Sequence, residues 1–231
     1  MYSRKRVTLF LSVIAIILTV LVIFQSKQHV DLNKEGKRFA QAINTTKQVI
    51  PSWGNNKASV TITQFGNYLC SHCKRFDRDI VLRLEKDFKN NPQIQFQYID
   101  VPFSNEISNI NSNVSQKLYT LNKYKYWDLH HKMFTASPKA SELNKTTTAH
   151  YQQHLLPLID QLKLDQSTTQ TLQELIKKPK ALNRTHGLAH QLNIDHVPVL
   201  YINQRRTENI TDYKALKREI ISALNNTTKN R

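Results

Sequence analysis

Val60-Thr61-Ile62-Thr63-Gln64-Phe65-Gly66-Asn67-Tyr68-Leu69-Cys70-Ser71-His72-Cys73 holds a change of periodicity and both cysteines of the chain. Val60 and Ile62 alternate with Thr61 and Thr63, the period of a strand, and Phe65 to Leu69 carry it to the first cysteine. Downstream, Phe76, Ile80, Leu84 and Phe88 recur every fourth residue, so the spacing predicts a helix beginning at the cysteine pair. Two cysteines at this spacing form the pattern of a dithiol redox centre. Unpaired N–H groups and the positive end of a helix dipole favour a thiolate over a thiol, and the thiolate is the species that exchanges disulfides. Cys70 is therefore the expected reactive sulfur. Cys73, one turn deeper on the same face, is the expected shielded partner that resolves it. Two other readings use the same pair. A zinc site would need further ligands, with His130, His131, His186 and His190 as the available imidazoles. A purely structural disulfide would close a very small loop and constrain the unfolded chain little.

After the predicted helix, Asn90-Asn91-Pro92 stops it, and Ile94, Phe96 and Tyr98 alternate with Gln95 and Gln97 as a second strand. Strand, helix, strand is a βαβ unit, right-handed with parallel strands. From Val101 to Val197 about 95 residues pass before another clear strand, far more than a crossover needs. Apolar clusters at helical spacing fill that interval: Leu118 and Leu121; Trp127, Leu129, Met133 and Phe134; Leu155, Leu158, Ile159 and Leu162; Leu172, Leu175 and Ile176. Pro102, Pro138, Pro157 and Pro179 are read as punctuation between them. The interval therefore reads as an inserted helical subdomain, about residues 104–180, followed by a helix through Leu188 and Leu192 that returns to the sheet. Val197-Pro198-Val199-Leu200-Tyr201-Ile202 is a strand with proline at its start, with a partner expected after Gln204-Arg205-Arg206. Tyr213, Leu216, Ile220 and Leu224 form a last helix behind an Asp212 or Thr211 cap, and residues 225–231 read as a disordered tail.

Upstream, residues 1–6 carry Arg4, Lys5 and Arg6, and residues 7–26 form an uncharged run rich in Leu, Ile and Val. A helix of about 20 residues reaches roughly 30 Å, the thickness of a bilayer core. The run ends Val22-Ile23-Phe24-Gln25-Ser26-Lys27, without the small residues of a cleavage site, which favours an uncleaved anchor over a cleaved signal peptide. Positive charge before the run places the N-terminus in the cytoplasm and the remainder outside, where disulfides persist. Residues 27–57 are polar and read as a stalk and lead-in, and residues 58–224 as one domain. The net charge of +16 is scattered among Asn, Gln and Thr with no zinc-finger or RNP motif, so no nucleic-acid partner is expected.

A strand entering Cys70-Ser71-His72-Cys73 at a helix start, an all-helical insertion, and His196-Val197-Pro198 opening a later strand together resemble the thioredoxin superfamily, specifically its DsbA-like branch, over about Ala58 to Leu224. The resemblance implies an α/β, thioredoxin-like fold with an inserted all-helical subdomain, preceded here by one N-terminal transmembrane helix. It implies a cis peptide bond before Pro198, with the backbone of Val197 exposed beside the cysteines for strand-like pairing with a substrate. His72 resembles the histidine between the cysteines of DsbA, where an imidazole stabilises the thiolate. A lowered cysteine pKa and an oxidising couple are features of DsbA itself and enter here as implications of the resemblance. Three positions depart from the family pattern. Gln64 stands where a buried Asp or Glu often relays protons near the resolving cysteine, and strand alternation buries it with Val60 and Ile62. Ser71 replaces a frequent proline. His196 stands near a common glycine.

The expectation is a membrane-anchored, extracytoplasmic enzyme that oxidises client thiols, with Cys70, Cys73, His72 and Pro198 as its catalytic residues. Val197 and Ser71 are the expected substrate-binding residues, and Gln64 and His196 the modulators. No cofactor beyond the Cys70–Cys73 disulfide is expected, and no metal. Expected partners are exported proteins with thiols and a reoxidant, either a membrane protein resembling DsbB or a small-molecule oxidant. A reductase or isomerase uses the same groups, and a client-binding chaperone would use the fold with little use of its cysteines.

Overall fold

The structure, a computed structural model, describes residues 4–46, 49–102, 106–136, 142, 145–179 and 184–229. A five-stranded sheet lies at its centre in the order β1-β3-β2-β4-β5. Its strands are β1 (Ser52–Gly54), β2 (Val60–Gly66), β3 (Ile94–Asp100), β4 (Val199–Ile202) and β5 (Arg205–Thr207). β2 and β3 run parallel from Val60 opposite Ile94 to Gly66 opposite Asp100, and the other pairings are antiparallel. β2 is central and covered on both faces, which is why even Thr63 and Gln64 are buried.

Strand alternation divides the core. Val60, Ile62, Ile94, Phe96 and Tyr98 face one layer, which holds Cys73, the insertion and the final helix. Phe65, Ile99, Val199 and Tyr201 face the other, against the first helix and the helix before β4. The expected fold class is the one observed. Among the described residues the insertion comprises α4 (Glu106–Leu121), α5 (Lys123–Ala136), α6 (Thr148–Asp160) and α7 (Gln166–Lys177), and α8 (Arg184–Gln191) leads back to the sheet. Pro157, read as a break, lies inside α6. Pro138 lies outside the described residues.

The helix that begins at the cysteines runs as α2 (Ser71–Phe76), one π-helical turn (Asp77–Val81) and α3 (Leu82–Phe88). On a regular α-helix, a repeat of four from Phe76 to Phe88 would drift by about 120°. The wide turn absorbs about one residue, roughly 100° of that drift. Phe76, Ile80, Leu84 and Phe88 are consequently all buried against the sheet.

Two boundaries differ from the sequence reading. Residues 27–57 are not a separate stalk. α1 (Arg4–Thr45) is one 42-residue helix, and its C-terminal part packs on the domain: Phe39 stacks on Tyr201 at 4.3 Å, and Tyr201 Oη donates to Glu35 Oε1 at 2.8 Å. β1 then joins the sheet edge, with Trp53 stacked on Phe96 at 5.2 Å. The segment reads as polar because few of its side chains turn to the domain: Phe39 and Ala42 are the apolar side chains that this end of α1 buries. The tail is not disordered over its described part: α9 (Tyr213–Lys229) continues helical past Leu224, capped by Asp212 Oδ1, which accepts from Lys214 N at 2.8 Å. From Leu11 onward α1 is long and apolar enough to cross a membrane, and its large apolar side chains between Leu11 and Leu32 are exposed.

Phe39→Ala is expected to cost the full chain about 3 kcal/mol, a cavity-forming loss of a buried aromatic. Denaturant unfolding followed by tryptophan fluorescence checks it. A loss near zero would return this segment to the role of a detached stalk.

Candidate active site

Cys70 caps α2 in extended conformation, and its sulfur accepts from the Cys73 backbone N–H at 3.4 Å. The turn that delivers it is pinned by Asn67, a residue the sequence reading passed over. Asn67 is buried; its Oδ1 accepts from Leu69 N at 2.8 Å, and its Nδ2 donates to Val101 O and Ser108 Oγ, each at 2.7 Å. An Asn two residues before a backbone N–H that needs a partner is the signal for such a turn.

The two sulfurs have opposite surroundings. Cys70 is half-buried and Cys73 fully buried. The Cys73 side chain hydrogen-bonds the Cys70 sulfur and is the main cause that lowers the Cys70 pKa to about 6, against the opposing effect of partial burial. Backbone N–H groups of Cys73 and His72 and the His72 charge add to the lowering. Burial first, then the Cys70 sulfur, push the Cys73 thiol far up. One sulfur is thus poised to ionise at neutral pH and the other to keep its proton.

The Val197–Pro198 peptide bond is cis. Pro198 is buried, Val197 is half-buried, and the Cys70 thiol donates to Val197 O at 3.4 Å. Three elements therefore meet at Cys70: the end of β2, the start of α2 and the entrance to β4. His72 is exposed, with Nδ1 2.9 Å from Arg75 Nη2. Ser71 is half-buried in the first turn of α2. His196 is engaged with other polar groups: its Nδ1 lies 2.6 Å from Asp195 Oδ1 and its Nε2 3.1 Å from Arg206 Nη2, in an exposed polar cluster. Gln64 is fully buried on the Cys73 side of the sheet, and neither side-chain polar atom has a hydrogen-bond partner among the described residues.

Sequence reasoning also missed Asp100. It ends β3 opposite Gly66, is buried, accepts from Tyr98 Oη at 3.3 Å and pairs with the Ser112 hydroxyl of α4. Burial raises its carboxyl to about 7, with the two hydroxyls opposing. The alternation of Ile94, Phe96 and Tyr98 was the available signal, because its next member is Asp100.

Of the imidazoles considered for zinc, His130 and His131 are placed otherwise, and the His186 side chain lies outside the described residues. Among the described residues, the side chains able to gather on a metal ion are Asp77, His130 and His131, a group that includes neither cysteine. His131 bridges two carboxylates, Nδ1 to Asp77 Oδ1 at 2.9 Å and Nε2 to Glu85 Oε2 at 3.1 Å. His130 Nδ1 lies 3.0 Å from Tyr68 Oη. Burial alone would lower the His131 pKa, but Asp77 and Glu85 outweigh it and raise it to about 9. Burial lowers that of His130. His131 is thus a cation that fastens α5 to the redox helix.

Comparison with known proteins follows the same lines. A thioredoxin family model matches residues 45–221. Disulfide bond formation protein D of Bacillus subtilis is 27% identical over 180 residues, covering 74% of this chain and 75% of its own. Oxidised BdbD from Bacillus subtilis superposes with a TM-score of 0.64 at 26% identity, over 76% of this chain and 93% of that one. The thiol-disulfide exchange protein alpha-DsbA2 from Wolbachia pipientis shares the fold, with a TM-score of 0.63 at 21% identity over 84% and 97% of the two chains.

Two outcomes are expected from this electrostatics. Alkylation of the reduced chain with iodoacetamide, read by mass spectrometry, should label Cys70 with a midpoint at about pH 6 and leave Cys73 unmodified; His72→Ala should move the midpoint upward. His131→Gln should destabilise the chain. Because the folded pKa of His131 is raised, its contribution is fully present below the ordinary 6.5 and lost as pH rises through about 9. The stability gap between wild type and variant should shrink across that window in denaturant titrations.

Proposed function

Since the chain belongs to the thioredoxin family, matched over residues 45–221, and is a DsbA-like protein thiol–disulfide oxidoreductase, we propose that it works as an oxidase of client thiols outside the cytoplasm. The observation that carries the direction is the pair of unequal sulfurs. A Cys70 thiolate stabilised to about 6 favours the reduced enzyme, and a disulfide whose reduced form is favoured takes electrons readily.

In the proposed cycle a client thiolate attacks Cys70 Sγ of the Cys70–Cys73 disulfide, and Cys73 departs. A second client thiolate then attacks the client's own sulfur in the mixed disulfide, forming the client disulfide and releasing Cys70 as thiolate. Two electrons pass from client to enzyme. Val197 supports this reading as the place where an extended client chain would pair, because its backbone lies against the reactive sulfur. Pro198 holds that backbone in place, His72 assists ionisation, and Ser71 borders the client path. Exported proteins with thiols are the clients. A membrane protein resembling DsbB, or a small-molecule oxidant, would restore the disulfide, and no organic cofactor, metal or nucleic acid takes part. The apolar stretch of α1 supports an uncleaved single-pass anchor, with residues 1–6 cytoplasmic and the catalytic domain in the cell envelope.

Equilibrating the full chain with glutathione tests the direction. The expected potential is well above thioredoxin's, which is about −270 mV, and a value at or below it would make the protein a reductase. Cys70→Ser should abolish disulfide formation in a reduced, unfolded client, and Cys73→Ser should accumulate the mixed disulfide. Client protection that survives Cys70→Ser in full would point to a chaperone instead.

A further inference from the structure

We propose that Asp100, not the position of Gln64, holds the proton exchanged with Cys73 during disulfide opening and closing. This rests on the thiol-exchange reading above and adds the residue that serves its buried half.

The geometry carries the argument. The Cys73 sulfur is stabilised by the backbone of Asn67, and the residue before Asn67 is Gly66, whose partner across the parallel pair is Asp100. Paired residues of parallel strands point to the same face, so Asp100, Tyr98 and Gln64 share the face that buries Cys73. Gly66 leaves that surface open: a Cβ there would stand 2.7 Å from the Tyr98 ring and 3.2 Å from Gln64 Nε2. The Tyr98 ring fills the space instead and brings its hydroxyl to Asp100. Gln64 sits beside them with its amide unpartnered among the described residues, and an amide cannot exchange a proton at neutral pH.

The Asp100 carboxylate also reaches Cys73 electrostatically, adding to the rise of the thiol's pKa behind burial and the Cys70 sulfur. The other titratable groups facing Asp100 are Tyr68 from the loop before α2, Tyr98 from its own strand and Tyr126 from α5, while α4 supplies Ser112. All three tyrosines are raised by burial, so they stay neutral and leave the carboxyl as the group whose charge changes near neutral pH, with the thiol as its proton partner.

The proton balance is closed. On oxidation of a client, the bond from Cys70 Sγ to Cys73 Sγ breaks, a client–Cys70 bond forms, and protonated Asp100 gives its proton to the departing Cys73 thiolate. On reoxidation by a disulfide, the Cys70 thiolate forms a mixed disulfide. The Asp100 carboxylate then takes the Cys73 proton, and Cys73 attacks Cys70 Sγ, expelling the oxidant's second sulfur as a thiolate.

The test mixes the reduced full chain with oxidised glutathione, quenches with acid, and follows closure of the Cys70–Cys73 disulfide by mass spectrometry as a function of pH. Wild type should show an inflection at about 7, above the one at about 6 that Cys70 ionisation gives to every variant. Asp100→Asn should lose the upper one and close about 100-fold more slowly at neutral pH, the lower end of what a positioned proton carrier supplies. The double variant Gln64→Glu, Asp100→Asn should regain an inflection. Tyr98→Phe, which keeps the carboxyl but removes a hydrogen bond that favours its ionised form, should move the inflection upward. A wild-type inflection in Asp100→Asn, or one unmoved in Tyr98→Phe, overturns the assignment while exchange itself survives. A wild-type chain that never closes the disulfide overturns the exchange reading and this one together.

Discussion

The meeting of the Cys70 sulfur with the Cys73 thiol and, beside it, the Cys73 amide is the contact on which the chemistry of this fold depends. It exists only because the chain leaves β2 and enters a helix within a few residues. The first N–H groups of that helix have no helical partner, so they are free to meet a sulfur. Asn67 fixes the turn that makes the approach, and the β4 entrance closes the other side through Val197 O. A small change in the turn would cost little in stability and much in ionisation, because sulfur hydrogen bonds are long and their geometry is set by three separate elements.

Burial is distributed between the sulfurs so that each can hold a different protonation state. Around Cys73 the protein places aromatic groups with polar edges: Tyr68, Tyr98, Tyr126 and His130 pack within one cluster, with Tyr68 Oη 3.3 Å from Tyr126 Oη and 3.0 Å from His130 Nδ1. Hydroxyls satisfy one another there, and the carboxyl that joins them is Asp100. Paired charges stand farther along the redox helix, at Asp77, Glu85 and His131, where they tie the insertion to the helix that carries the cysteines. One layer therefore serves two purposes, keeping the inner thiol neutral and the helix immobile.

The catalytic half of the fold was readable because its signals are local. Alternation gave β2 and β3, the cysteine spacing gave the start of α2, and the burial of Gln64 followed from its phase in β2. Even the irregular turn was written in the chain: a repeat of four sustained from Phe76 to Phe88 is too slow for an α-helix, and it was read only as helical. What escaped depends on contacts between distant residues. β1 is three residues long, too short for a period, and is a strand only because the β3 edge receives it. The C-terminal part of α1 buries two side chains against a surface built by α8 and β4, so its own pattern looks polar. Asp100 looked like a strand end, and its environment comes from Ser112 in a helix not yet placed when that strand is read.

α1 has a mechanical consequence as well. It runs unbroken for 42 residues, and Gly36 already lies against Gln204 of the domain. With the proposed anchor ending near Ser26, some ten residues of rigid helix separate bilayer from enzyme, a standoff of about 15 Å. A rod has no slack, so the dithiol would patrol a shell of fixed height above the lipid. Under the proposed anchoring, that geometry would favour thiol-bearing clients held close to the bilayer, and it would deny the enzyme the reach of a tethered, tumbling domain.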